Sequence, residues 1–206
     1  MKKVYFLALF CLFFSWTNLA AQNSAPATGV EVSFAFNRQS GFSTNQFAIW
    51  IEDSKGNLVK TLYATKFTAG GGWSKRPQSI PLWVQKSNLS ALSKKDVDAL
   101  TGATPRAGTL NYRWDGLDKN GNRASAGEYR LFLEATLRGD NRVLYEAPFS
   151  LGSGKTGSIE AKSTYFGSGT KERGMIENVK AAYRPRWSFP VSRRKASIAS
   201  FVPKLP

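Results

Sequence analysis

Phe47-Ala48-Ile49-Trp50-Ile51-Glu52 and Leu58-Val59-Lys60-Thr61-Leu62-Tyr63 flank the five residues Asp53-Ser54-Lys55-Gly56-Asn57. The two runs are rich in aromatic and β-branched side chains. The residues between them offer short polar acceptors and a glycine, so the stretch predicts a β-hairpin. Working outward, Val30-Glu31-Val32-Ser33-Phe34-Ala35-Phe36 alternates apolar and polar, as a half-buried strand does. On the other side, Thr109-Leu110-Asn111-Tyr112-Arg113-Trp114 and Gly127 to Thr136 repeat the pattern, with turn residues Asp115 to Gly121 between them. Arg142-Val143-Leu144-Tyr145 is expected to pair with Gly127–Thr136 or with the segment at Phe149.

Six or more strands with close turn signals predict an all-β fold, an antiparallel immunoglobulin-like β-sandwich. Residues 80–100 break the alternation. Ser79 to Val84 is apolar with Pro81, and Ser93-Lys94-Lys95-Asp96 resembles a helix N-terminus capped by Ser93, so one or two short helical turns are expected. Gly70-Gly71-Gly72-Trp73 reads as a loop, and Gly152 to Gly157 as a linker or exposed loop. Met175 to Tyr183 predicts one further strand, and the end of the chain, with Pro190, Pro203 and Pro206, predicts no structure. The expected organisation is a signal peptide over 1–21, the sandwich over 22–151, an extension with a possible extra strand over 152–190, and a disordered basic tail over 191–206.

The 206 residues include no histidine and one cysteine. That excludes a Ser-His-Asp triad, a histidine base and any His- or Cys-rich zinc or haem site. The cysteine, Cys11, lies in an apolar run from Val4 to Trp16 that follows Lys2-Lys3 and precedes Asn18-Leu19-Ala20-Ala21. This is the pattern of a secretory signal cleaved after Ala21, and a periplasmic or secreted chain without disulfides is expected. The formal charge is +15 and uneven, with eleven basic and three acidic side chains from Gly152 onward. In an exported chain such a tail points to anionic headgroups or envelope polymers, or to nothing beyond solvation; nucleic acid is not expected.

Several other features read as structure. Trp50, Trp83 and Trp114 suit a core better than a ligand stack. Asp115, Asp118 and Asn120 place oxygens at calcium-loop spacing, but no closing Glu follows and a β-turn explains them.

Two resemblances are carried by separate blocks. Trp114-Asp115-Gly116-Leu117-Asp118-Lys119-Asn120-Gly121, then Ala126-Gly127-Glu128-Tyr129, is similar to a hairpin of the immunoglobulin-like domain in flagellar hook-capping proteins. Gln39-Ser40-Gly41, Asn45 to Asp53, Leu82-Trp83-Val84, Thr101-Gly102-Ala103-Thr104-Pro105 and the Trp-Asp-Gly hairpin occur in an order that resembles the predicted periplasmic family called domain of unknown function 2271.

Asp98-Ala99-Leu100-Thr101-Gly102-Ala103-Thr104 resembles the Asp-x-x-Ser/Thr-Gly-Ala-Thr signature of exported redox proteins that carry covalent FMN. By that resemblance an ApbE-type FAD:protein FMN transferase would esterify FMN to Thr104, and Asp98, Thr101, Gly102 and Ala103 would form the rest of the motif. Gly102 and Ala103 are small enough for a hydroxyl to enter another enzyme's site, and Pro105 biases Thr104 toward extended backbone. Arg106 departs from those families, which often carry a second Ser or Thr there. The same residues also fit a plain loop before a strand, with Gly102 in a turn and Asp98 as a local cap. The expected functions are therefore an extracytosolic electron carrier linked to a membrane redox protein such as a PepSY-type protein, or a non-redox periplasmic binding or structural module.

Overall fold

A computed structural model describes residues 29–40, 45–137, 140–167 and 173–184. The expected signal peptide with Cys11 and the tail beyond 190 lie outside the described residues. Ten strands run in chain order: β1 (Gly29–Phe36), β2 (Gln46–Asp53), β3 (Leu58–Thr65), β4 (Thr101–Gly102), β5 (Gly108–Trp114), β6 (Gly127–Thr136), β7 (Arg142–Leu151), β8 (Gly157–Ile159), β9 (Lys162–Phe166) and β10 (Ile176–Arg184). They form a four-stranded sheet ordered β5-β1-β10-β8 and a six-stranded sheet ordered β4-β3-β2-β6-β7-β9. Every pairing is antiparallel except β3 with β4.

The sandwich core lies between the sheets. Val30, Val32, Phe34 and Phe36 point inward from β1, and Phe47, Ile49 and Ile51 meet them from β2. The Phe34 and Phe47 rings cross edge to face, 5.7 Å apart. Alternation was the correct signal for this layer because each strand of a two-sheet core shows one face to it. The strand expected at Met175–Tyr183 is β10, and it pairs with β1 from Gly29↔Arg184 to Phe36↔Ile176. Arg142–Leu151 is one strand paired along the whole of β6, the first of the two pairings expected for it.

A third layer covers the outer face of the six-stranded sheet. Residues 66–100 form a helical turn at Thr68–Gly72, then α1 (Trp73–Lys75), α2 (Pro81–Ser87), a 3-10 turn at Leu89–Ala91, and α3 (Lys94–Leu100). This is more helix than the sequence suggests, although Gly70 and Gly71 keep the non-helical backbone of a loop, with Gly71 at φ 103° kinking the chain between two helical pieces. Ala48, Trp50 and Phe132 on the sheet meet Ile80, Trp83 and Leu89 in a second apolar cluster. Trp50 and Trp114 on strands and Trp83 on α2 are all fully buried, as a core role requires. Two seven-residue helices would not persist alone in water, so tertiary contact, not periodicity, sustains them.

Two buried carboxylates fasten α2 to the sheet. Glu134 on β6 accepts hydrogen bonds from the Leu82 and Trp83 amides at 3.3 and 2.9 Å and from Arg142 at 2.9 Å. Glu52 on β2 accepts from the Trp50 indole at 2.8 Å and from Lys86 at 3.1 Å. One carboxylate thus meets the orphan amides at the start of α2, and the other meets a lysine near its end.

Candidate functional site

Asp98 to Thr104 spans the end of α3 and the edge of the six-stranded sheet. Ser93 caps α3 as expected, its hydroxyl accepting from the Asp96 amide at 3.2 Å. The helix stops where Thr101 turns extended, at φ −119° and ψ 154°. Thr101 and Gly102 then form β4 beside Ala64 and Thr65 of β3. The alternative placement of Gly102 in a turn is corrected: it lies in a strand, without the left-handed φ a turn glycine shows. Asp98 is not a cap either; it sits inside α3, exposed, with Lys66 at 3.5 Å.

The remaining motif residues follow the sheet edge. Thr101, Gly102 and Thr104 are half-buried and Ala103 is exposed. The Ala103 carbonyl accepts a hydrogen bond from the Tyr63 hydroxyl at 2.7 Å. The Tyr63 ring lies over Gly102 so closely that a Cβ there would be 2.8 Å from its Cε2. Among the described residues the Thr104 hydroxyl has no hydrogen-bond partner. The structure therefore gathers Thr101 to Thr104 with Tyr63 on one edge, and leaves Asp98 outside that contact, facing Lys66. Nothing in the sequence marks Tyr63, which occupies an ordinary strand position.

Tyr63 is anchored from behind. Its ring lies 5.0 Å from Phe47 and 5.0 Å from Tyr112. Burial pushes the Tyr63 hydroxyl pKa up to about 12, and burial with the neighbouring Tyr63 raises that of Tyr112. Both phenols therefore stay neutral at and well above pH 7.

A cleft of about 1320 Å³ lies toward the opposite end of β3. Leu58, Leu62 and Leu100 give it apolar walls, and its charged lining is mixed, with Lys60, Lys86, Arg113 and Lys119 beside Asp96 and Asp115. Lys60 donates to the Asp118 carbonyl at 3.1 Å, joining this wall to the loop after β5.

Other groups that could carry chemistry are committed to the fold. Burial raises the pKa of Glu134, against the opposing pull of the Trp83 amide and the Arg142 guanidinium. Asp118 Oδ1 accepts from the Asn120 and Asn122 amides at 2.8 Å each, and Asp115 Oδ1 from the Leu117 amide at 3.0 Å. The Asp115–Asn120 spacing is thus a pair of side-chain-capped turns. Among the described residues no three acidic or sulfur side chains gather as a metal site, and no helix is long and apolar enough to cross a membrane.

A family model described as a predicted periplasmic protein, DUF2271, matches residues 27–167, most of the chain. No curated protein and no solved structure matches it.

Proposed function

The chain belongs to the DUF2271 family of predicted periplasmic proteins, and from that premise we propose that it carries FMN on Thr104 and serves as an extracytosolic electron carrier. The observation that carries this reading is the setting of Thr104. Thr104 is half-buried, its hydroxyl is without a hydrogen-bond partner among the described residues, and it lies just past the edge strand β4, flanked by Gly102, Ala103 and Pro105. These residues fit the acceptor of a phosphoester: no hydrogen bond within the chain has to be given up before the hydroxyl is deprotonated and attacks, and small flanks let a second protein close around it. An ApbE-type transferase supplies FMN from FAD, and a membrane redox protein such as a PepSY-type protein exchanges electrons with the product. FMN brings the redox chemistry, while the chain mounts it beside the edge of the six-stranded sheet.

The test is intact mass after incubation with FAD, a divalent cation and an ApbE-type transferase. The expected result is a gain of one FMN less water, mapped to the Thr104 peptide. Thr104→Ala should abolish it, and Thr101→Ala should retain it. An unmodified chain beside a labelled control substrate would refute the reading.

A second reading, a non-redox binding module, is favoured by the cleft beside Lys60, Arg113 and Lys119. Its apolar walls and its excess of basic side chains, Lys60, Lys86, Arg113 and Lys119 against Asp96 and Asp115, suit an anionic ligand with an apolar body. It would stand if the chain stayed unmodified and retained such a ligand on purification.

A further inference from the structure

We propose that Tyr63 is the positioning residue of the acceptor segment, holding Ala103 so that the Thr104 hydroxyl is presented in one orientation. This rests on the reading of Thr104 as the FMN acceptor.

Little else holds this stretch. β4 has two residues, both on the sheet edge and paired in parallel with β3, the less stable arrangement per residue. Past Gly102 the ladder ends. The hydrogen bond from the Tyr63 hydroxyl to the Ala103 carbonyl, 2.7 Å long, is the next attachment. It comes from a rigid post: the Tyr63 ring is stacked on Phe47, which is fully buried, and tilted against Tyr112. Gly102 completes the device, because any side chain at that position would strike the ring. The glycine thus has a structural cause as well as the small profile a modifying enzyme needs.

In the transfer, Thr104 Oγ1 attacks the flavin-side phosphorus of FAD held by the transferase. The new O–P bond forms as the pyrophosphate P–O bond breaks. AMP leaves, and the hydroxyl proton passes to a base of the transferase. Tyr63 touches none of these atoms. It raises the fraction of chains whose acceptor is ready, so losing its hydroxyl should weaken apparent affinity for the transferase rather than slow the bound complex.

The experiment uses two readouts on the purified chain and Tyr63→Phe, which retains the ring. Hydrogen–deuterium exchange, measured without flavin or transferase, should be faster over Thr101–Thr104 in the variant, with an unchanged melting temperature. Transferase kinetics with FAD should show KM for the variant raised about fivefold, the worth of one ordinary hydrogen bond, with kcat retained. Equal exchange, or equal KM with the wild-type chain labelled, overturns the proposal. Faster exchange in Tyr63→Phe, together with a wild-type chain that takes no flavin beside a labelled control, leaves Tyr63 holding the loop but refutes the acceptor reading, and the proposed role falls with it. Gly102→Ala, which pushes on the ring from the other side, should reproduce the KM increase; failure to do so counts against the device.

Discussion

Asp53 and Asp118 build the same loop twice. In Asp53-Ser54-Lys55-Gly56-Asn57 and in Asp118-Lys119-Asn120-Gly121-Asn122, one carboxylate oxygen accepts amides two and four residues on. The glycine takes a left-handed φ, 80° in the first and 83° in the second. Burial pushes the Asp53 pKa up, but hydrogen bonds from Asn57 and Lys55 outweigh it and hold the carboxyl below the usual range. These loops are legible from sequence because their interactions are local. Glu134 is the opposite case. It reads as a strand residue like any other, yet it is fully buried, and only the arrival of α2 and Arg142 explains it. Its folded pKa is raised, so the unfolded chain releases that proton at lower pH. Its contribution to stability is therefore greatest below the unfolded pKa and declines as pH rises through the folded value. Glu134→Gln should consequently gain stability relative to wild type on going from pH 5 to pH 8, read from urea unfolding at both. A constant difference would show that the carboxyl does not titrate as described.

Among the elements, α2 depends most on its surroundings. Pro81 opens the helix, Ile80 before it holds φ 40°, and the Ile80 amide donates to Thr136 Oγ1 at 2.8 Å. Trp83 is the helix's buried side chain, and its indole donates to Thr61 at 3.1 Å. Trp83→Ala removes that bond and opens a cavity between helix and sheet. It should cost about 3–5 kcal/mol, seen as a fall in melting temperature with the strand signal in circular dichroism preserved. A loss under 1 kcal/mol would mean that the helical layer packs only loosely on the sheet. The expectation of one or two helical turns fell short here because helix periodicity needs length. Seven residues carry too little of it, and the stabilising groups sit on strands far away in sequence.

At the scale of the whole molecule, the order β5-β1-β10-β8 places the strand latest in sequence at the interior of its sheet. Met175, Ile176 and Tyr183 bring fully or nearly fully buried side chains to the common core. A chain ending at Leu151 would leave one side of β1 unpaired. It should lose its cooperative thermal transition, whereas a chain ending at Arg184 should retain it. A cooperative transition in the shorter chain would show that β10 is dispensable. The sequence by itself determined the two-sheet architecture, the reversals between strands, the α3 cap and the motif that suggests Thr104, because alternation, turn chemistry and capping act over a few residues. Only the tertiary structure decided the helical layer, the burial of Glu134 and Glu52, and the meeting of Tyr63 with Gly102 and Ala103. Those depend on groups tens of residues apart being driven together by burial of a shared apolar surface, and no local pattern records that.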